Sequence, residues 1–382
     1  MIRLAFLIHS NKTWIGGINV ILNLINLISN TENLKKRIKI ILITDSRKKI
    51  SKFKINEKVE IIENSEFFDQ NIFFKILDKL SLILLGKTIF LEKLLIKYKL
   101  NYISHTNIAT GNKSFTKSIV WIPDFQFLYF PQFFSFTYRI IKKINILIYK
   151  NHAYKILLSS KTSAKDLNKI CKIKKQNLVI NSFIFDVPSL KKIKKKEYLK
   201  KKYNLNDKFF YVPNQYWIHK NHKIVIKALN HIKKNSKKQI IVYSSGDRKD
   251  YRYKDNFKNL MNLVKKNKLN DNYIYLGLIP FIDVMSLIYY STAVINPSLF
   301  EGWSSSVEQA KAYNKKIILS DISVHREQKP KNSFFFKPKD FLYLSNILIK
   351  LNSSNQILSK KINLDLKKNI NKYTYNYCKI IN

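Results

Sequence analysis

Short, apolar, β-rich runs alternate with helix-period segments from one end of this chain to the other. In the first half the strand-like runs are Arg3 to Ser10, KIILIT (39–44), VEIIE (59–63), NYISH (101–105), SIVWIPD (118–124), YKILLSS (154–160) and LVINS (178–182). In the second half the pattern continues in FFYVPN (209–214), in the runs opening QIIVYSSGDRKDYR (239–252) and NYIYLGLIP (272–280), and in TAVINPS (292–298) and KIILSD (316–321). Strands separated by helices return by crossovers and so pair in parallel, which makes the fold class α/β with doubly wound sheets. A chain of 382 residues exceeds one ordinary domain and suits two, each able to bury a core. The boundary falls at the charge run KKIKKKEYLKKK (191–202). This divides the chain into a first Rossmann-like domain over 1–186, a basic linker over 187–206 and a second Rossmann-like domain over 207–360.

The most informative stretch runs from Asn296 to Gln328, NPSLFEGWSSSVEQAKAYNKKIILSDISVHREQ. TAVINPS is stopped by Pro297, and SSSVEQAKAYN then takes up helical spacing, so Leu299 to Trp303 forms a strand-to-helix loop. Ser305 and Glu308 fit the S-x-x-E capping box, which puts Ser305 at the N-cap and gives Glu308 a structural duty on the cap amide. Gly302 permits a backbone conformation closed to other residues, and the free amides of Ser305 and Ser306 face an anion at the positive end of the helix. Glu301 is left as an acceptor for something rich in hydroxyls. An ordinary βα unit with a solvated Glu has the same spacing.

Other segments carry weaker signals. Gly16 and Gly17 close the loop NKTWIGG, where they allow a ligand near the helix start or serve a tight packing turn; the G-x-G-x-x-G fingerprint is absent. His105 and Asp124 lie at strand C-terminal ends, where open α/β sheets bind ligands, although a lone carboxylate such as Asp124 is as often a helix or turn cap. Thr137 to Lys150 mixes apolar residues with Arg139, Lys142, Lys143 and Lys150, the pattern of an interfacial helix and equally of a core-facing helix with a solvated basic face. In FFYVPNQYWIHKNHKIVIKALNHIKK (209–234), Asn221 can cap the helix that follows, and Lys220 at its lip offers an ammonium beside free amides, a phosphate site in prospect. His219 and His222 have no third ligand at suitable spacing, so no metal is expected.

Composition narrows the partners. The formal net charge of +45 suggests a polyanion, either nucleic acid or an anionic membrane surface. An AT-rich coding sequence, which fills a chain with Lys, Ile, Asn, Phe and Tyr, gives the same charge without any selection for binding. No recognised nucleic-acid module is visible, so nucleic acid is not an expected partner. Two distant cysteines, Cys171 and Cys378, argue for a reducing compartment, and the N-terminus reads as a first strand and not a signal peptide. The expectation is a cytoplasmic protein, with a peripheral place on the inner face of the membrane open to it.

FEGWSSSVEQA resembles the E-x7-E segment of the retaining, nucleotide-sugar-dependent glycosyltransferases of family 4, the glycosyl transferases group 1, and SDISVHREQ resembles the strand that follows there. PNQYWIHKNH is similar to that family's diphosphate-binding turn, with Lys220 in the phosphate-binding position; NYIYLGLIP is similar to the segment that contacts the base, and WIPDFQ to a segment found in some members. The resemblance covers most of Met1 to Gln328. It implies the GT-B arrangement, two Rossmann-like domains facing across a cleft, with a C-terminal helix over 361–382 returning to the first. It also implies transfer of a sugar, with retention, from a nucleoside diphosphate sugar to a hydroxyl of a saccharide or lipid-linked saccharide acceptor, in cell-surface polysaccharide or lipopolysaccharide assembly. No metal or other cofactor is implied.

By the same resemblance Glu301 sits against the transferred sugar and Gln309 meets the ribose. Gly302, Trp303, Ser304 and Ser305 present the donor loop, Asn214 and Gly17 complete the donor side, and Asp124 has a polar role near the reacting centre. Three departures stand out: Gln309 replaces a Glu, Phe127 replaces a frequent His, and Asn214 with Gln215 replaces a frequent Arg. Gln309 and Phe127 leave open a subunit that binds a nucleotide sugar without turning it over.

Overall fold

Parallel pairing of the β-rich runs builds two sheets. The computed structural model describes residues 1–9, 15–51, 53–69, 71–354 and 362–381, and these divide into two compact units, Met1–Phe183 with Asn369–Asn382, and Ile184–Lys368.

The first unit holds β1 (Ile2–Ile8), β2 (Ile38–Thr44), β3 (Glu60–Glu63), β4 (Tyr102–Thr106), β5 (Lys117–Ile122), β6 (Lys155–Leu158) and β7 (Leu178–Ile180), in the order β3-β2-β1-β4-β5-β6-β7. The central strands are apolar along nearly their whole length because both faces are covered, as parallel sheets require. Around them run α1 (Ile15–Asn30), α2 (Ile72–Leu85), α3 (Phe90–Lys97) and α4 (Phe136–His152). One core joins Ala5, Ile41 and Ile103 to Leu91 and Leu95 of α3; another joins Val120 and Ile156 to Leu82 of α2 and Ile146 of α4. Gly17 is buried as the third residue of α1 and so belongs to a helix, not to the expected turn; Ser10 to Trp14 lie outside the described residues.

The second unit holds β8 (Phe210–Val212), β9 (Val242–Ser244), β10 (Tyr273–Tyr275), β11 (Ala293–Asn296), β12 (Ile317–Ser320) and β13 (Ser333–Phe336), in the order β10-β9-β8-β11-β12-β13. Its helices include α5 (Lys196–Tyr203), α6 (His222–Asn235), α7 (Ser305–Ala312) and α8 (Phe341–Ser353); α9 (Asp365–Cys378) starts here and from Asn369 belongs to the first unit. Val225 and Leu229 of α6 and Leu344 and Leu348 of α8 pack with Val242 and Ile295 in one core. β13, four residues of SFFF, is not among the strand-like runs read from the sequence; so short a run carries too little periodicity to announce itself, and its parallel register with β12 decides it.

The expected linker over 187–206 is folded instead. α5 buries Leu199 and turns its lysines outward, while Tyr203 Oη and Lys202 Nζ reach the buried Asp283 at 2.6 and 2.7 Å and the Lys194 amide donates to Ser286 Oγ at 2.9 Å. A single apolar anchor with one buried carboxylate thus suffices to dock a basic helix that reads as a charge run. At the other end, residues from Asn369 cluster with the first unit, where Tyr377 Oη lies 2.6 Å from Ser104 Oγ.

Candidate functional site

In the second sheet the strand order reverses between β8 and β11, and α/β sheets bind ligands beyond the C-terminal ends of such a pair. The chain leaving β8 is Pro213 to Lys220, and the chain leaving β11 is Pro297 to Ser304, so the two segments singled out independently in the sequence meet at one place. Leu299 donates its amide to the His219 carbonyl at 2.8 Å, and Asn221 Nδ2 donates to the Pro297 carbonyl at 3.1 Å. These bonds fix the two loops to each other.

At their meeting point Lys220 Nζ lies 2.6 Å from Glu301 Oε1, with side chains only 15% and 8% exposed. Ser298 Oγ lies 2.7 Å from the same carboxylate oxygen and 2.7 Å from Asn296 Oδ1. Asn296, fully buried at the end of β11, receives Asn214 Nδ2 at 3.4 Å and sends its own Nδ2 to Ser304 Oγ at 2.6 Å and Ser306 Oγ at 3.1 Å. One continuous polar network therefore runs from the Lys220 ammonium to the start of α7. Asn214 can approach because Gly246, at φ +148°, has no side chain: a Cβ there would stand 2.6 Å from the Asn214 carbonyl oxygen.

The expected capping box at the start of α7 does not form. Ser304, not Ser305, is the N-cap, so Glu308 comes one residue too late to reach the cap amide. Gln328 takes that duty: its Oε1 accepts the Ser304 amide at 3.2 Å and its Nε2 donates to the Ser304 carbonyl at 3.0 Å and to Glu308 Oε1 at 2.9 Å. Burial raises the Glu308 carboxyl above the usual carboxylate range, opposed by Lys311 at 2.9 Å and by Gln328. The amides of Ser305 and Ser306 take no partner among the described residues and remain as donors at the positive end of the helix. Gly302 is buried but is not among the glycines with positive φ, so the conformational licence expected of it is unused. Gln309 is 8% exposed on the same helix, its amide without a hydrogen bond among the described residues, and Trp303 is half-buried in the loop.

Asn221 occupies the N-cap position of α6 without capping it. Its backbone is left-handed (φ 55°), and its side chain is spent on the Pro297 and Pro338 carbonyls, so the His222 and Lys223 amides, next to Lys220, take no partner among the described residues. His222 is structural: it stacks on Tyr216 with ring centres 4.1 Å apart, bonds Tyr273 Oη at 2.7 Å, and burial pushes its pKa down to about 4. His219 is held well below the ordinary range, first by burial and then by Lys220 and Arg252.

Three contributors gave no signal in the sequence. Arg252, from the loop after β9, is nearly buried, bonds Asp250 at 3.1 Å and lies over the Trp217 ring; a charge within GDRKDYR looks like any solvated loop charge. Gln328 reads as an unremarkable residue past a helix. His325 is fully buried, its Nδ1 2.8 Å from the Ser320 carbonyl oxygen and its Nε2 without a partner among the described residues, and burial lowers its pKa while the Glu301 carboxylate acts in the opposite direction.

The remaining expected residues belong to the first unit. Asp124 is exposed, and its Oδ1 accepts the Gln126 amide at 3.0 Å, the turn-cap arrangement. Phe127 packs in the core with Phe125. His105, at φ 51°, is buried against Phe6, Trp121 and Tyr377, and burial pushes its pKa down to about 3.

All or nearly all of the chain is similar in fold to solved structures. HepE of Anabaena, solved in complex with UDP and glucose, shares 15% identity with a TM-score of 0.67, covering all of this chain and 95% of that one. WaaG, a glycosyltransferase involved in lipopolysaccharide biosynthesis, shares 10% with a TM-score of 0.66, covering 98% and 93%. A TarM variant of S. aureus, solved with Fondaparinux, alpha-GlcNAc-glycerol and UDP, shares 10% with a TM-score of 0.69 over all of both chains. These likenesses place the two parallel sheets in the GT-B fold class. No curated protein sequence matches the chain. A family model, Glycosyl transferases group 1, matches residues 169–376. That match spans more than half of the 382 residues and takes in Lys220, Glu301 and Gln309, and the chain therefore belongs to the glycosyl transferases of group 1.

Proposed function

We propose that this glycosyltransferase moves a sugar from a nucleoside diphosphate sugar to a hydroxyl of a saccharide or lipid-linked saccharide, with retention at the anomeric carbon, in cell-surface polysaccharide or lipopolysaccharide assembly. The observation that carries the reading is the buried Lys220–Glu301 contact set between the open helix starts of α6 and α7. In transfer the bond from C1 to the diphosphate oxygen breaks, its electron pair leaving with the diphosphate. The acceptor oxygen bonds to C1 on the same face, and its proton passes to the departing diphosphate. Negative charge grows on the leaving group, so Lys220 and the amides of Ser305 and Ser306 supply the field that stabilises it, with no metal required.

Glu301 then exchanges Lys220 for hydroxyls of the transferred sugar, and Gln309 offers its free amide to the ribose. Gly302, Trp303 and Ser304 shape the loop against the donor, Asn214 holds it through Asn296, Gly17 completes the donor side, and Asp124 takes a polar role near the reacting centre. The UDP bound in the similar HepE and TarM structures supports a nucleotide-sugar donor, and the part of WaaG in lipopolysaccharide biosynthesis supports the assembly pathway. The reading places the protein in the cytoplasm, with its basic charge meeting an anionic membrane surface. A thermal-shift screen against nucleoside diphosphate sugars, followed by NMR of the product anomer, tests it: a stabilising donor giving product of unchanged anomeric configuration is expected, and an inverted product removes the retaining mechanism.

A further inference from the structure

α4 is 17 residues long and buries one of them, Ile146. Its apolar residues Phe136, Ile140, Ile144 and Leu147 are exposed, and their spacings of four, four and three align them on one stripe. α2 repeats the arrangement: Ile72, Ile76, Leu80 and Ile83 are exposed at the same spacings, while the residues it turns inward are Asp78, Ser81 and Leu82. Both helices are amphipathic the wrong way round for a protein in water, with a lipophilic stripe outward. The core-facing reading of Thr137 to Lys150 holds for Ile146, with Ile148 and Tyr149 packed beside it, and not for this stripe.

The two helices are tied together at their C-terminal ends. Leu82 and Ile146 share one core, and a single loop clamps both helix ends: Gly111 donates its amide to the His152 carbonyl at 3.1 Å, and Lys113 donates to the Gly86 carbonyl at 3.0 Å. The clamp needs a glycine, because a Cβ on Gly111 would stand 2.1 Å from the Gly86 carbonyl oxygen. Charge is sorted on the same surface. Lys75, Lys79, Lys142 and Lys143 are exposed along α2 and α4, whereas the acidic residues of α2 and α3 are withdrawn into the fold. Asp78 accepts the amides of Ile89 and Phe90, both at 2.8 Å, and of Leu91 at 3.1 Å; Glu92 accepts the Phe115 amide at 2.9 Å and the Ser114 hydroxyl. No acidic residue occurs in α4.

The geometry points to a docking face for an anionic lipid leaflet, with the stripes of α2 and α4 seated in the headgroup boundary and the lysines on lipid phosphates. Among the described residues no helix is long and apolar enough to cross a membrane, so the helices lie in the interface. A second copy is the poorer occupant, since a symmetric contact would set lysines against lysines. This deepens the membrane-surface reading by naming the face, and it rests on that reading.

The test is co-sedimentation of the full chain with vesicles of phosphatidylcholine alone and of phosphatidylcholine mixed with phosphatidylglycerol. It compares the natural protein with Ile76→Gln/Ile83→Gln and Ile140→Gln/Ile144→Gln, each confirmed as folded by its thermal transition. The natural chain is expected to bind the anionic vesicles and to keep part of that binding at about 0.5 M salt, where screening reaches only a few ångströms. Each variant is expected to bind at least about tenfold more weakly, because partitioning scales with the apolar area seated. If the natural chain ignores anionic vesicles, the membrane reading and this face fall together. If it binds and both variants bind equally well, the face alone falls. Size-exclusion chromatography supplies the last arm: a dimer that either variant splits assigns the face to a second copy and overturns the proposal.

Discussion

Lys220 Nζ and Glu301 Oε1, 81 residues apart in the chain, lie 2.6 Å from each other at the reversal of strand order in the second sheet. Each side chain is the neutralising partner of the other, and under the proposed function a donor brings a phosphate for one and hydroxyls for the other. Removing one member leaves the other as a nearly buried charge, which costs about 3–5 kcal/mol where the pair is fully desolvated. Lys220→Met should therefore lower the melting temperature, and adding Glu301→Gln should restore most of the loss. A double variant no more stable than the single one would show that the contact is not a coupled pair.

Gln328 sits at the hub of the α7 start, touching Ser304 twice and Glu308 once. Truncation to Ala orphans the buried Ser304 amide, worth about 1–3 kcal/mol, and leaves Glu308 Oε1 with Lys311 alone. Chemical denaturation of Gln328→Ala should report a loss in that range, with weakened donor affinity because the Ser305 and Ser306 amides lose their frame. An unchanged midpoint would return Gln328 to a passive role.

Much of this was legible in advance. The strand–helix alternation dictates two parallel sheets, and all seven strand-like runs of the first half and all five of the second are found as strands. Lys220 and Glu301 were each singled out from a helix lip and a loop, but nothing in either segment says that they touch, since contact across a sheet switch is a property of strand order. The capping box failed for a local reason: a one-residue offset moves Glu308 away from the cap, and a distant Gln supplies what the motif promised. Asn221 reads as a cap because Asn usually is one, but two proline carbonyls without other donors claim its side chain. Buried partners such as Asp283 and His325 were invisible for the same reason, as burial is decided by elements far away in the chain.

Acidification offers a separate test of the buried histidines. Burial holds His105 at about 3 and His222 at about 4, below the ordinary 6.5. Between those values and 6.5 the unfolded chain binds protons that the native chain refuses, so their stabilisation is complete above pH 6.5 and is lost as the pH falls. Each such histidine contributes a slope of about 1.4 kcal/mol per pH unit in that window. Melting temperature measured from pH 7 to pH 4 should fall steadily, and less steeply in His222→Gln. A flat profile would mean that these rings are protonated in the native state.

At Gln309 a neutral amide stands where the family's pattern has a carboxylate, and its side chain has no hydrogen bond among the described residues. A carboxylate accepts a hydroxyl hydrogen bond roughly twice as strong, so Gln309→Glu should tighten donor binding modestly. Donor affinity measured for the two proteins decides it, and no change would remove Gln309 from the ribose.

The most direct test of the site is calorimetric titration of UDP and GDP into the natural chain, Lys220→Met and Glu301→Gln, with transfer assayed alongside. A charge-assisted contact to the diphosphate is worth about 1.5–3 kcal/mol, so Lys220→Met should bind the preferred nucleotide at least about tenfold more weakly. Glu301→Gln should keep nucleotide affinity and lose nearly all transfer. Equal nucleotide affinity in Lys220→Met, together with full transfer by Glu301→Gln, would contradict the assignment of this pair as the centre of the donor site.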